Sequence, residues 1–304
     1  MNTQEVITAA ASHLIELAGH QFDVLHISKP PSVDAALNLA KVLSKLSPLV
    51  GNLIEFNAVE YLNDREEYRE VGRWVRQDPG FPDTIFEGVS PTPGVEIKAW
   101  FPLATEITGR FRDSQNAFDA DQTYVAVLAW LPDKLLYGVP LIIDVCVVSG
   151  RSVAADRDEH YHDPPDYLVI EPEDTTSRTV NLQQTNTNGY KFQGTSAQFA
   201  EARRVVESWG PDGPVYRPTR EYQQQLRELL QRYPYRLDTN YAKMDRIEHA
   251  GIEEFKRRVL GTTVNGMTVF AWDRLLRGEN ESAIVAAIQE HLGITEDEGS
   301  VPLS

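Results

Sequence analysis

The chain has 304 residues, and hydrophobic residues make up 41% of them, enough to bury a large core without disulfides and too many for a disordered polymer. Its 45 acidic against 29 basic residues leave a formal net charge of −16, which excludes a protein that holds nucleic acid through an overall positive surface. The single cysteine, Cys146, excludes an internal disulfide, and no apolar run or N-terminal leader pattern points to a membrane or to export, so a cytoplasmic protein is expected.

Residues 5–18 and 33–46 have helical periodicity, with Leu37, Ala40, Leu43 and Leu46 on one stripe of the second. Ser47-Pro48 reads as an N-cap followed by proline at the first helical position, opening a further helix through about Leu62. Its stripe is Leu49, Val50, Leu53, Ile54, Ala58 and Leu62, with Glu55 at the edge one turn after Gly51. The turn-forming run from Gly88 to Gly94 predicts an antiparallel hairpin of residues 84–87 and 95–101. Residues 123–131, 139–148 and 167–170 read as further strands of one buried sheet, with Cys146 in its core. Residues 197–208, 219–233, 240–260 and 281–292 read as helices. The expectation is an α/β core over 1–195, including the N-terminal helices, and a mainly helical C-terminal subdomain over 196–304 that dimerises or embraces a ligand.

Pro82-Asp83 followed by Gly94-Val95-Glu96-Ile97-Lys98 presents two carboxylates and an amine. On a strand, Glu96, Lys98 and Trp100 project one way and Val95, Ile97, Ala99 and Phe101 the other, so one face is reactive and the other buriable. The hairpin brings Asp83 near Glu96. Phosphodiester hydrolysis asks for a hard cation held by oxygen ligands, which Asp83 and Glu96 supply, and for a positive group beside the attacking water, which Lys98 supplies. Taken alone, Glu96 and Lys98 also read as a surface salt bridge. Glu55 offers a third acid from the helix, and Gly51 lets a strand or a DNA backbone approach on the same side.

In that order, Gly51-Asn52-Leu53-Ile54-Glu55, Pro82-Asp83 and Gly94-Val95-Glu96-Ile97-Lys98 resemble the helix glutamate, PD and (D/E)XK series of the PD-(D/E)XK nucleases, the superfamily of most type II restriction endonucleases. The Gly-Val-Glu-Ile-Lys form is most similar to the branch holding the mismatch-repair nicking endonuclease and its restriction relatives. The match spans roughly residues 47 to 101. It implies a restriction-endonuclease-like fold with a central mixed sheet flanked by helices. It also implies Asp83 and Glu96 as Mg²⁺ ligands, Lys98 as the water-positioning amine and Glu55 as an auxiliary acid.

A DNA-binding surface on so acidic a chain has to be local. From Thr175 through Ala200 there is no Asp or Glu, while Arg178, Asn181, Gln183, Gln184, Asn186, Asn188, Tyr190 and Lys191 crowd together. Arg, Asn and Gln are the forks that read guanine and adenine edges, so this stretch is the expected recognition loop. Arg110 and Arg112, just after the reactive strand, are expected phosphate clamps. His160 and His162, among Asp156, Asp158, Glu159 and Asp163, suggest Zn²⁺, but Pro164-Pro165 reads as a charged loop and no third ligand is identifiable. There is no Gly-rich phosphate loop, Cys-x-x-Cys pair or Gly-x-Ser-x-Gly elbow. The expectation is a sequence-specific, Mg²⁺-dependent double-strand DNA endonuclease of the type II restriction kind, acting as a cytoplasmic homodimer. A monomeric nicking or repair nuclease, or a non-enzymatic acidic interaction protein, are the alternatives.

Overall fold

A computed structural model describes residues 1–77, 80–103, 107, 111, 121–160, 166–169, 188–211, 213, 219–237 and 247–295. In chain order the elements are α1 (Thr3–Ile15), α2 (Val33–Asn63), β1 (Arg73–Arg76), β2 (Thr84–Glu87), β3 (Gly94–Trp100), β4 (Thr123–Pro132), β5 (Pro140–Ser149) and α3 (Gly150–His160). There follow β6 (Asp166–Val169), β7 (Asn188–Phe192), α4 (Ser196–Glu207), α5 (Arg220–Arg232), β8 (Tyr235–Leu237), α6 (Ala250–Gly261), β9 (Thr263–Val264), β10 (Met267–Thr268), α7 (Val269–Leu276) and α8 (Glu281–Leu292). No helix among the described residues is long and apolar enough to cross a membrane.

Local chemistry starts the helices where a side chain can take an orphan N–H. Asn2 and Glu5 form a capping box on α1, Thr195 and Gln198 form another on α4, and Ser32, Thr219, Thr268 and Asn280 cap α2, α5, α7 and α8. The start expected at Ser47 is not there. α2 runs unbroken through Pro48, although proline offers no N–H to the Ser44 carbonyl. Pro48 lies on the exposed side, and one buried stripe continues across it through Leu43, Val50, Gly51, Ile54, Ala58 and Leu62. Tertiary burial therefore outweighs the local break. Leu49, expected on that stripe, is exposed.

The chain forms two compact units, each with its own core. The first comprises Met1–Ile107, Thr123–Val148 and Ala250–Ser304. Its centre is a mixed five-stranded sheet of order β1-β2-β3-β4-β5, in which β1, β2 and β3 pair antiparallel and β4 lies parallel to β3. The buried core joins α1 and α2, strands of this sheet and the C-terminal helices α7 and α8. On the reactive side of β3, Trp100 packs against Phe255 of α6 with ring centroids 5.7 Å apart. α6 is tied to β5 by the Arg258–Asp144 ion pair at 2.9 Å and by the Cys146 thiol on the Gly251 carbonyl. Cys146 is buried as expected, and burial pushes its thiol up to about 11. Helices thus flank the sheet.

Both sheet edges are partly occupied. Asn63, the last residue of α2, accepts from the Trp74 N–H at 2.8 Å and donates to the Trp74 carbonyl at 3.0 Å, acting as a one-residue strand beside β1. Residues 19–27 bond along the start of β5, where Ile142 exchanges backbone hydrogen bonds with Gly19 and His20.

The second unit comprises Thr108–Gln122 and Ser149–His249. Its sheet has the order β6-β7-β8, with β6 parallel and β8 antiparallel to β7. Tyr190 and Tyr235 from that sheet pack with Ala202, Val206, Tyr222, Leu226, Leu229 and Tyr233. The strand expected near residues 167–170 therefore exists, as β6, but outside the central sheet. The division differs from a cut at residue 195: α6, α7 and α8 belong to the first unit, with α7 and α8 in its core, whereas α4 and α5 belong to the second. The helix expected over 240–260 begins only at Ala250, with 240–246 outside the described residues. Of the segment 156–163, expected as a charged loop, residues 156–160 lie in α3, while β1, α7 and the β9–β10 hairpin had no counterpart in the expected elements.

Two glycines on the way to the reactive strand differ in what they allow. A Cβ at Gly51 would meet Ala99 Cβ at 3.5 Å, an ordinary contact, whereas one at Gly94 would fall 2.3 Å from Cγ of Pro82. Gly51→Ala is expected to stabilise the protein by about 0.5–1 kcal/mol, through helix propensity and a less free unfolded chain. Gly94→Ala should destabilise it by about 1–3 kcal/mol through overpacking. Urea midpoints of the two variants check this, and a destabilised Gly51→Ala would contradict the packing described between α2 and β3.

Candidate active site

The antiparallel register of β2 and β3 pairs Thr84 with Val95, so the next step outward sets Asp83 opposite Glu96. The Pro82 ring lies over Gly94, filling the space that a side chain would need. Two backbone hydrogen bonds then orient the acids: Ile97 N–H donates to Asp83 Oδ2 at 2.7 Å, and Asp83 N–H donates to Glu96 Oε2 at 3.1 Å. Charge-assisted bonds of this kind hold a carboxylate more firmly than neutral ones.

Lys98 completes the cluster. Its ammonium donates to Asp83 Oδ2 at 3.3 Å and pairs with Glu96 Oε1, so both carboxylates converge on one cation. The side chains of Glu96, Lys98 and Asp83 are 8%, 17% and 27% exposed, which makes Asp83 the open end of the site. Burial alone pulls the Lys98 ammonium toward its neutral form; the carboxylates of Glu96, Asp83 and Glu55 outweigh that pull and hold its pKa above the ordinary lysine value. Because the folded pKa is the higher one, this group's contribution to stability is complete at neutral pH and is lost only as pH rises through the raised value. Lys98 is therefore an ammonium under working conditions. It can hold a water oxygen or offset negative charge, but it cannot accept a proton.

Glu55 belongs to the site through its field. It sits on α2 one turn beyond Gly51, which faces Ala99 of β3, and is half-buried. The Asn63–Trp74 clamp fixes the far end of the same helix. The clamp and the Pro82–Gly94 contact are the positioning features that residue-type reasoning missed. The glycine in the Gly-Val-Glu-Ile-Lys run was a usable signal for the second, whereas a lone helix-terminal asparagine signals nothing.

A hard dication fits this donor set in a limited way. Among the described residues no three carboxylate, imidazole or thiolate groups are arranged to hold a metal, so a protein-saturated centre is absent there. Mg²⁺, however, is usually bound through one or two carboxylates, with waters and substrate phosphate filling its octahedron. Asp83 and Glu96 provide that number of oxygen donors, already oriented by backbone N–H groups. The Lys98 ammonium lies against both, so the pair of acids is already balanced by a positive charge.

The expected DNA contacts fall differently. Arg110, Arg112, Arg178, Asn181, Gln183, Gln184 and Asn186 lie outside the described residues. Asn188, Tyr190 and Lys191 lie in β7, so the C-terminal part of the expected recognition loop is strand. Its period-two pair Tyr190 and Phe192 is the cause: Tyr190 is 5% exposed in the second core, and Phe192 stacks near Phe199 and Tyr235. The ring of Tyr190 is thus committed to packing.

Of the His-rich segment, His160 ends α3 and Asp156 lies within it, while His162 is outside the described residues. A different cluster occurs here. His249 Nε2 lies 3.0 Å from Ser152 Oγ and 4.0 Å from Asp156 Oδ2. Both partners address the same ring nitrogen, whereas a charge-relay triad needs serine and acid on opposite nitrogens, and Ser152 Oγ donates to the Ser149 carbonyl at 2.8 Å. These contacts do not have the geometry of a charge relay.

Compared with known proteins, the chain matches no family model, no curated protein and no solved structure.

Burial lowers the pKa of His249 against the opposing pull of Asp156. A histidine whose folded pKa lies below its unfolded value, about 6.5, contributes stability above that value and loses it as pH falls toward the folded one. The stability of the second unit should therefore decline below about pH 6.5, and His249→Gln should flatten that decline. Urea midpoints taken from pH 5 to pH 8, beside an NMR titration of His249, check this, and a midpoint above the ordinary histidine value would contradict it.

Proposed function

We propose that this protein is a sequence-specific, Mg²⁺-dependent endonuclease that hydrolyses both strands of DNA, a type II restriction enzyme of the PD-(D/E)XK kind that works as a cytoplasmic homodimer. The observation that carries the proposal is the convergence of Asp83 and Glu96 on the Lys98 ammonium, with each acid held by a backbone N–H from the opposite strand. An ordinary surface salt bridge would need neither the second acid nor the two backbone donors, and its partners would not be this buried.

In this reading Asp83 and Glu96 hold the cation, which when bound supplies Lewis-acid contact to the scissile phosphate and to the attacking water. Lys98 donates a hydrogen bond to that water and offsets the negative charge that grows on the phosphate oxygens. Water oxygen bonds to phosphorus as the bond to the leaving ester oxygen breaks. The proton that the attacking water loses passes to bulk solvent, and the leaving oxygen takes one from solvent, since Lys98 keeps its own. Glu55 adds negative charge that keeps Lys98 protonated.

Asp83, Glu96, Lys98 and Glu55 all belong to the first unit, whereas Asn188, Tyr190 and Lys191, the described members of the expected DNA contacts, lie in β7 of the second. Because the ring of Tyr190 is buried, base reading is assigned to Arg178, Asn181, Gln183, Gln184 and Asn186, and phosphate contact to Arg110 and Arg112. Two identical subunits suit a palindromic site, with one active site per strand.

Digestion of a mixture of genomic DNAs should give discrete fragments with Mg²⁺ and none with a chelator. Lys98→Ala and Asp83→Asn should each lower the cleavage rate by at least about 100-fold, while Lys98→Ala still retards DNA in a gel. Absence of cleavage by the wild type with either Mg²⁺ or Mn²⁺, across DNAs of varied sequence, would overturn the proposal.

A further inference from the structure

The oxygens that a dication would use are already engaged by the protein's own cation. Lys98 Nζ lies 3.3 Å from Asp83 Oδ2 and pairs with Glu96 Oε1, so it occupies the space between the two acids. Two holds on these acids do not involve Lys98: Ile97 N–H binds Asp83 Oδ2, and Asp83 N–H binds Glu96 Oε2. The carboxylates thus keep their orientation whichever cation lies between them.

We propose that Lys98 is a place-holder for the divalent cation: in the DNA-free protein its ammonium fills the metal position, and it must swing out before a dication can bind there. The inference rests on the reading of Asp83 and Glu96 as metal ligands. Two facts make the exchange a competition. Both acids are largely buried, so leaving them without any cation is costly, which explains why an ammonium is drawn in. An ammonium and a dication repel strongly at contact range in a partly buried site, so both cannot share Asp83 Oδ2 and Glu96 Oε1.

A consequence for function follows. The metal binds the free protein weakly, because it first has to break two ion pairs. A phosphodiester arriving at the site adds oxygen ligands for the metal and an anion for the released ammonium, and so favours the exchange from both sides. The same movement frees Lys98 from Asp83 and Glu96 and leaves it available to the attacking water. The cation site is therefore loaded together with DNA rather than before it.

Mn²⁺, a spin-active substitute for Mg²⁺, is titrated into the DNA-free wild type, into Lys98→Met and into the Asp83→Asn, Glu96→Gln double variant, with free Mn²⁺ read by electron paramagnetic resonance. Weak binding by the wild type, binding about tenfold tighter or more by Lys98→Met, and loss in the double variant are expected. Equal binding by the wild type and Lys98→Met, abolished in the double variant, would overturn the place-holder role while leaving the metal ligands standing. No binding dependent on Asp83 and Glu96 in any variant would overturn the metal reading and this inference with it. Lys98→Gln replaces Lys98→Met if circular dichroism shows the methionine variant to be unfolded. The wild type itself gives an independent readout: acetylation of Lys98, followed by mass spectrometry, should rise severalfold when Mg²⁺ is added. Unchanged acetylation at saturating Mg²⁺ would also overturn the place-holder role.

Discussion

The candidate site depends on one crossed pair of hydrogen bonds, Ile97 N–H to Asp83 Oδ2 and Asp83 N–H to Glu96 Oε2. They exist because β2 and β3 pair with Thr84 opposite Val95, and that register is held where the Pro82 ring lies against Gly94. A strand slip of one residue would turn Glu96 and Lys98 to the side now held by Val95 and Ile97, leaving charges in the core and apolar side chains outside. The apolar face that β3 buries is thus the force that keeps the acids in place. Val95 and Ile97 are both fully buried, so register and reactive face are specified together.

Much of this was legible in the residues, for a physical reason. A hairpin bounded by turn residues announces its own pairing, and alternation on β3 predicts which side chains share a face. The mixed sheet flanked by helices, the two strands after the hairpin and most helices agree with periodicity. What was not legible depends on distant partners. Ser47-Pro48 looks like a helix start because its local chemistry is that of a start, yet the stripe from Leu43 to Leu62 finds a common core and the helix continues. β7 was hidden inside a polar, acid-free run because only Tyr190 and Phe192 alternate there, too short a pattern to outvote the composition around them. Nor can periodicity tell which core a helix joins. The stripe of α8, Ile284, Ile288 and Leu292, packs with the N-terminal helices, whereas Leu226 and Leu229 of α5 pack with the second sheet.

Charge presents the hardest constraint on a DNA-cleaving reading, and the two units meet it unequally. Most of the chain's excess acid lies in the first unit, which also contains the candidate active site, while acids and bases in the second are much closer to balance. Long-range attraction to a polyanion is therefore not available to the first unit, and net charge disfavours approach. A site built of acids on an acidic body can work on phosphodiesters only when a dication mediates, because two carboxylates and a phosphate otherwise repel. This is a physical reason to couple cation binding with DNA binding, and it agrees with the ammonium found between Asp83 and Glu96.

Exposure differs between the two ends of the reactive face, although Glu96 between them is only 8% exposed. Moving from Trp100 through Lys98 to Asp83, the face passes from an indole that is 5% exposed and packed on Phe255 to a carboxylate side chain that is 27% exposed. Among the described residues the α6 side of the strand is closed by the Trp100–Phe255 packing, and the more exposed carboxylate lies at the hairpin end, where Pro82 and Asp83 lead into β2. Lys98 lies between the closed end and the open one, and its long apolar stem lets the ammonium change partners without moving the strand. On the proposed exchange, the fixed parts of the site would be the two acids with their backbone donors and the adaptable part the lysine. That is the reverse of a fixed salt bridge, in which both partners would owe their positions to each other.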